Sequence, residues 1–228
     1  MAGMLEQLLS LAAAGAMMIS TSLNAAAPQN DIDGTLFLQN RQWRAGSAYI
    51  PEVRVTEMKG KVRELRDDAA AALERMAADC KEATGEILVS VSGYRSYQTQ
   101  ATIYQRKVKS TGSQARADKY VARAGASEHQ LGLAMDLGWA DYHGTSEKFP
   151  RSKAGKWTTE NCWKYGFILR YQAGWEEITG YNQEEWHFRY VGEEHAKAIY
   201  ENQMPLENYL ILLRQDALMD IVLGAVEE

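Results

Sequence analysis

Two stretches decide the fold of this chain and carry its chemistry: Ser127-Glu-His-Gln-Leu-Gly-Leu-Ala-Met-Asp136 and Glu184-Glu-Trp-His187. In the first stretch, His129 and Asp136 stand among small and apolar residues, where a carboxylate is costly to bury unless it is paired or bound to a metal. These two residues are seven positions apart in the chain, so a straight strand would direct their side chains to opposite faces of a sheet. A bend at Gly132 would allow both side chains to reach one point.

The second stretch supplies another imidazole and a carboxylate. Imidazole nitrogen and carboxylate oxygen both bind Zn²⁺, and three protein ligands with one open position are typical of a catalytic zinc site. We therefore predict that His129, Asp136 and His187 bind one zinc ion. Glu184 is the predicted general base, which accepts a proton from the water that the ion makes more acidic. Glu185 is a competing base, but alternation along a strand would direct it away from the site.

These motifs resemble those of the VanY-type zinc D-alanyl-D-alanine carboxypeptidases, a branch of the peptidase group that also contains the VanX-type dipeptidases. Both stretches fit the pattern Ser-x-His-x-x-Gly-x-Ala-x-Asp followed by Glu-x-x-His, and the resemblance covers roughly residues 36 to 210. Its remaining segments are Ser92-Gly-Tyr-Arg-Ser-Tyr97 with Gln100, Lys164-Tyr-Gly-Phe-Ile-Leu-Arg-Tyr171, Glu177-Ile-Thr-Gly-Tyr181 and Trp186-His-Phe-Arg-Tyr-Val-Gly192.

The resemblance implies the same zinc ligands and base, and it adds three substrate-binding residues. Arg95 would hold a substrate carboxylate or carbonyl, with hydrogen bonds from Gln100 and Ser127. Arginine suits this task because its planar, permanently charged fork matches a carboxylate. From the residues alone, each has an ordinary alternative. Arg95 could be a surface residue in a turn, Gln100 an exposed helix position, and Ser127 a helix or turn cap.

The activity implied by the resemblance is hydrolysis of the terminal D-Ala-D-Ala bond of peptidoglycan stem peptides. Three alternatives share the same ligands: cleavage of an L,D bond in a tetrapeptide stem, of a free D-Ala-D-Ala dipeptide, or of an L-Ala-D-Glu bond. A zinc-containing cell-wall-binding module without catalysis is a further alternative. Retention of Glu184 argues against it, because a pure binding module does not require a base.

The hydrophobic pattern predicts an α+β fold: a single domain with a small antiparallel sheet that carries the zinc site and is flanked by helices. Apolar residues at helical spacing predict helices, and runs rich in β-branched or aromatic residues predict strands. The predicted helices span residues 62–83, 100–109, 157–165, 192–202 and 206–226, and the predicted strands span 86–92, 131–137, 167–171 and 185–190.

The predicted organisation has four parts: a signal peptide or N-terminal anchor over residues 1–27, an extended lead-in over 28–60, the catalytic domain over 61–210, and a helical tail over 211–228. Leu8 to Ile19 is apolar and is followed by Ala25-Ala-Ala27, as in a secretory signal, although no Lys or Arg precedes it. The apolar run is short for a membrane span. We predict export, with an N-terminal membrane tether or a buried N-terminal helix as alternatives.

Composition limits the partners. A formal net charge of −5 argues against nucleic-acid binding, which normally needs a basic face. Nothing in the sequence indicates an obligate protein partner, and the predicted partner is the peptidoglycan stem peptide. Cys80 and Cys162 could form one disulfide in an exported protein, or they could be two buried thiols.

Overall fold

The computed structural model describes residues 30–139, 142 and 144–227, with side chains described up to residue 219. The predicted signal peptide or anchor therefore lies outside the described residues. The chain divides into two compact units, one formed by residues 38–207 and the other by residues 1–37 and 208–228. Within the described part of the second unit, residues 208–227 belong to a helix that begins at Leu206 and ends at Glu227.

The unit of residues 38–207 mixes short helices with two small antiparallel sheets, which confirms the predicted α+β fold. Its strands are β1 Arg54–Val55, β2 Glu64–Leu65, β3 Leu88–Ser92, β4 Ala134–Trp139, β5 Phe167–Tyr171 and β6 Glu184–Tyr190. Its α-helices are α1 Asp67–Thr84, α2 Tyr97–Thr111, α3 Gln114–Asp118, α4 Lys153–Asn161, α5 Glu176–Thr179 and α6 Glu193–Asn202. The helix from Leu206 to Glu227 is α7, and short 3₁₀ helices span Glu128–Leu131, Phe149–Arg151 and Cys162–Tyr165.

The larger sheet has the strand order β3-β4-β6-β5, with every neighbouring pair antiparallel. Strand β4 is central and buried along nearly its whole length, which is why its sequence is continuously apolar apart from Asp136. Met135 and Leu137 on this strand, and Phe188 on the neighbouring β6, are fully buried in the core. Asp136 therefore sits inside the sheet, where it needs a charged or metallic partner.

Helix α1 packs against β3 of the larger sheet and against both strands of the smaller one. Its first turn carries Asp67 and Asp68, its last turn carries Lys81, and Gly85 ends it in the left-handed conformation at φ 74°. Acidic residues at the start and a basic residue at the end both favour the helix dipole. The predicted start at residue 62 was wrong, because residues Glu64–Leu65 instead pair with β1 to form a two-stranded ribbon.

Three other predicted elements differ from the structure. The stretch predicted as one strand over 131–137 begins as a 3₁₀ helix, and strand β4 starts only at Ala134. The helix predicted over 157–165 is two elements, α4 followed by the 3₁₀ helix Cys162–Tyr165. Helices α3 and α5 were not predicted, because elements of five and four residues are too short to show a hydrophobic period.

Both cysteines are free, buried thiols. The Cys80 thiol lies 3.8 Å from the carbonyl oxygen of Ala154, and the Cys162 thiol lies 3.9 Å from that of Thr159. Of the two alternatives for these residues, the structure shows the pair of buried thiols. No helix among the residues described is both long and apolar enough to cross a bilayer.

Candidate metal centre

The sheet and the loop before it bring three potential metal ligands together. Asp136 on β4 and His187 on β6 are directly opposite each other in the antiparallel register. His129 lies in the 3₁₀ helix, and Gly132 ends that helix in the left-handed conformation at φ 69°. A Cβ at Gly132 would lie 2.8 Å from a methyl group of Val53, so this bend requires glycine on both steric and conformational grounds.

The geometry of the three side chains fits a single ion. Asp136 Oδ1 lies 3.3 Å from His129 Nε2 and 3.0 Å from His187 Nδ1. Two atoms that both bind one tetrahedral zinc ion are about 3.3 Å apart. Among the residues that the structure describes, His129, Asp136 and His187 form the group able to hold a metal, and all three are buried.

His129 offers the clearest evidence that a ligand belongs here. Its Nδ1 atom lies 2.8 Å from the carbonyl oxygen of Gly93 and must donate to it, so the lone pair of the neutral ring is on Nε2. This Nε2 atom is buried without a hydrogen-bond partner. A metal-binding histidine is commonly fixed in this way, with its second nitrogen bonded to a carbonyl or carboxylate. The neutral ring of His129 is therefore in the tautomer that zinc binding requires, with its lone pair on Nε2.

His187 is held by a buried carboxylate that the sequence analysis did not single out. Its Nε2 atom donates to Glu128 Oε2 at 3.1 Å, which leaves Nδ1 facing Asp136. The other oxygen of Glu128 accepts from Arg170 at 2.8 Å and from Arg189 at 3.0 Å. Arg170 in turn makes two hydrogen bonds, of 2.9 and 2.6 Å, to Glu207. A fully buried network of charges thus orients one metal ligand.

The electrostatics of the three ligands suit a cation. Burial alone would raise the pKa of Asp136, but the imidazoles of His129 and His187 hold it well below its ordinary value. Burial and the nearby charge of Arg95 lower the pKa of His129 to about 4, so this ring is neutral. Burial would also lower the pKa of His187, but hydrogen bonds to Asp136 and Glu128 raise it to about 9. A metal ion at this ring therefore takes the place of a proton.

Glu184 stands beside the three ligands at the first position of β6. Its Oε2 atom is 3.8 Å from His187 Nδ1, and burial raises the pKa of its carboxyl group to about 7. Glu184 lines a small pocket together with His129 and His187, and Glu185 is not among the described residues that line it. This placement agrees with the predicted choice of Glu184 over Glu185.

The predicted substrate-binding residues lie on the same pocket. Arg95 Nη1 donates to Gln100 Oε1 at 3.0 Å, and Gln100 Nε2 donates to the carbonyl oxygen of Ala122 at 2.6 Å. Gln100 is thus buried between two partners rather than exposed on its helix. Ser127 stands at the N-cap of the 3₁₀ helix without a side-chain capping bond, so capping does not account for its hydroxyl.

Comparisons with known proteins identify the family to which the chain belongs. The profile of the family described as VanY, D-alanyl-D-alanine carboxypeptidase, matches residues 62–193. The chain belongs to this family. Its VanY-family relatives include the putative carboxypeptidase YodJ of Bacillus subtilis, 40% identical over 185 residues that cover 78% of this chain and 67% of YodJ. A D-alanyl-D-alanine carboxypeptidase of Enterococcus faecium is 38% identical over 57% of this chain, which spans only 38% of that relative's length.

Two solved structures extend the comparison. The LD-carboxypeptidase LdcB has a TM-score of 0.74 at 38% identity, and the match covers 79% of this chain and 87% of LdcB. A mutant of the vancomycin-resistance D,D-pentapeptidase VanY in complex with Zn(II) has a TM-score of 0.66 at 35% identity, covering 77% of this chain and 98% of that one. Zinc is the cofactor of this family, and the buried His129, Asp136 and His187 group fits it.

Proposed function

We propose that this protein is a zinc-dependent D,D-carboxypeptidase that hydrolyses the terminal D-Ala-D-Ala bond of peptidoglycan stem peptides. The observation that carries the proposal is the convergence of His129, Asp136 and His187 beside a partly buried Glu184. A metallocarboxypeptidase needs three metal ligands, an adjacent base and a pocket with an arginine that can hold a carboxylate. The D,D-carboxypeptidase relatives in the family favour this activity.

When bound, zinc polarises a peptide carbonyl and makes water more acidic. The protein's own part in the reaction begins with Glu184, whose carboxylate accepts a proton from the attacking water. The water oxygen forms a bond to the carbonyl carbon, and the bond between that carbon and the leaving nitrogen breaks. Glu184 then delivers the proton to the nitrogen, so D-alanine leaves as a neutral amine and the carboxylate is restored.

The pocket beside the metal group suits a small terminal residue. Its volume is only about 60 Å³, and Arg95, Ser127 and Ala122 are among the residues that line it. Burial lowers the pKa of Arg95, while the Asp136 carboxylate opposes this effect, so the guanidinium stays charged. A partly buried, charged guanidinium in so small a pocket favours a substrate that ends in a free carboxylate next to a short side chain.

A wider cleft adjoins this pocket. The cleft has a volume of about 780 Å³. Arg95 and Glu184 line both the cleft and the small pocket, and the predicted metal ligand Asp136 also lines the cleft. We assign the rest of the stem peptide to this cleft, with the scissile bond at its junction with the small pocket. A free dipeptide would leave the cleft empty, so this arrangement favours a longer peptide over D-Ala-D-Ala itself.

Cleavage of an L,D bond is the second candidate function. The LD-carboxypeptidase LdcB has a higher TM-score, 0.74, than the D,D-pentapeptidase VanY, 0.66. Both reactions release D-alanine and use the same ligands and base, so they differ in the residue before the scissile bond, which is D-alanine in the D,D reaction and an L-residue in the L,D reaction. That residue would lie in the cleft rather than in the small pocket.

Release of D-alanine from matched peptides tests the proposal. We expect the purified, zinc-loaded protein to release D-alanine from a pentapeptide stem ending in D-Ala-D-Ala at least about tenfold faster than from the tetrapeptide. A metal chelator should abolish release, because it removes the zinc that polarises the carbonyl and makes water more acidic, and added Zn²⁺ should restore it. Faster release from the tetrapeptide would establish the L,D reaction instead, and no release from either peptide would contradict the assignment.

We also propose that the protein acts outside the cytoplasm, where its peptidoglycan substrate lies. The cell-wall peptidases among its relatives support this location. Export through residues 1–27 stays a prediction from the sequence, as does the alternative of an N-terminal tether.

A further inference from the structure

Two walls of the small pocket come from distant parts of the chain. The first wall is formed by Tyr120, Val121 and Ala122, which follow α3, and the second wall contains Tyr181 and Glu184, which follow α5. The pocket between them is narrow, so a small change in the separation of the two walls would change what fits there.

Arg41 joins the two walls from outside the pocket. Its Nη2 atom donates to the carbonyl oxygen of Asp118, which ends α3 just before the first wall, and to that of Gly180, just before the second wall. Its guanidinium carbon also lies 4.8 Å from the centroid of the Tyr181 ring. Arg41 is not among the described residues that line the pocket. It therefore contacts both walls without facing the substrate site.

The charge of Arg41 suits this position. The walls approach each other closely here, because the backbone N–H of Asn182 donates to the carbonyl oxygen of Lys119 at 3.0 Å. Two carbonyl oxygens that face one nitrogen carry like partial charges and would repel each other without a donor between them. A guanidinium is always charged, and hydrogen bonds from a charged group are about twice as strong as those between neutral groups. Arg41 therefore stabilises the approach of the two walls.

The lead-in segment that carries this arginine is itself anchored beside the metal centre. Gln39 Nε2 donates to the carbonyl oxygen of Gly125 at 2.7 Å, and Gln130 Nε2 donates to that of Gly46 at 2.9 Å. Both glutamine side chains are fully buried. Gly125 and Gln130 stand on either side of the metal ligand His129 in the chain. The segment therefore provides a fixed support for the arginine.

We propose that Arg41 is a positioning residue that holds the two walls at the separation required by the terminal residue of the substrate. It acts through the backbone at Asp118 and Gly180 and does not touch the substrate. Arg41 precedes residue 62, where the match to the family profile begins, so the lead-in contributes to the site from outside the matched region. This inference rests on the proposed function, because it assumes that the small pocket holds the end of a peptide.

Arg41→Met tests the assignment, because methionine keeps an unbranched apolar stem but has neither the charge nor the donors. We expect KM for D-alanine release to rise about 10- to 100-fold, the usual effect of losing hydrogen bonds from a charged group. Loss of binding that the substrate and the transition state share raises KM alone, so kcat should change less than about threefold. Zinc content should stay at one ion per chain. Arg41→Lys keeps the charge and a donor but not the fork, so its KM should lie between those of the wild type and Arg41→Met.

The matched control is Arg54→Met. Arg54 also belongs to the lead-in, but it bonds to Asp67 and Glu74 of α1 and does not line the pocket among the residues described. This control should leave KM within about twofold of the wild type, since exposed ion pairs contribute little. An equal rise of KM in both variants would overturn the assignment, and so would an unchanged KM or a loss of zinc in Arg41→Met.

Amide hydrogen exchange of the zinc-loaded protein tests the same contact without a substrate. We expect Arg41→Met to accelerate exchange about tenfold in residues 119–122 and 180–183, because both segments lose a charged hydrogen bond, and Arg54→Met to leave it unchanged there. Unchanged exchange in Arg41→Met would refute the role of Arg41. If the wild type cleaves neither the pentapeptide nor the tetrapeptide, the proposed function fails, and exchange alone then decides whether Arg41 holds the two walls.

Discussion

Glu184→Gln should reduce kcat for D-alanine release by about 100- to 10,000-fold, the usual contribution of a general base. Glutamine keeps the size and the hydrogen-bonding oxygen of the side chain but cannot accept a proton. The zinc content should stay at one ion per chain, because Glu184 is not among the three ligands. Steady-state kinetics with elemental analysis of the same preparation measure both quantities.

Glu185→Gln is the matched comparison, because the neighbouring carboxylate is the competing base. Glu185 does not line the small pocket among the described residues, so its variant should keep kcat within about tenfold of the wild type, well short of the loss of a general base. If Glu185→Gln lost turnover and Glu184→Gln kept it, the two roles would have to be exchanged. Loss of zinc in Glu184→Gln would instead make this residue a ligand.

Glu128→Gln should destabilise the protein by about 3–5 kcal/mol, the usual cost of breaking a buried ion pair. Glu128 is fully buried and accepts from both Arg170 and Arg189, so the variant leaves buried guanidinium charge without its partner. It also loses the carboxylate that orients His187, and zinc affinity should fall about 10- to 100-fold. Urea unfolding of the zinc-free protein and chelator competition measure the two effects separately.

Glu74→Gln provides the control for burial. Glu74 makes two hydrogen bonds to Arg54, of 2.7 and 2.9 Å, so its geometry is comparable, but its side chain is 23% exposed. An exposed ion pair contributes about 0–1 kcal/mol, and the variant should keep its zinc affinity. Equal destabilisation by Glu128→Gln and Glu74→Gln would show that the buried network does not have the role assigned to it.

The sequence predicted the strands that carry Asp136 and His187, but not the 3₁₀ helix that carries His129. Strand β6 was predicted to within one residue of its start, because polar and aromatic residues alternate along it. The bend at Gly132 was also predicted, since a straight strand would separate His129 from Asp136. The structure places His187 opposite Asp136. This pairing depends on the register between two strands that are distant in the chain, and only the family resemblance indicated it.

Other parts of the site could not be read from the sequence. Glu128 is adjacent to His129 in the chain yet bonds to His187, and only the tertiary fold shows that contact. One feature of the sequence pointed to this role: Glu128 stands between two residues of the motif, and a carboxylate buried there needs a partner. The β1–β2 ribbon has strands of two residues each, which are too short to show alternation.

The most direct test of this account is a crystal structure of the zinc-loaded protein with anomalous diffraction measured at the zinc edge. We predict one anomalous peak per chain, about 2.0–2.2 Å from His129 Nε2, His187 Nδ1 and one oxygen of Asp136, with no fourth protein ligand. A peak bound elsewhere, or a fourth protein group that closes the coordination sphere, would contradict the assignment of a catalytic metal centre.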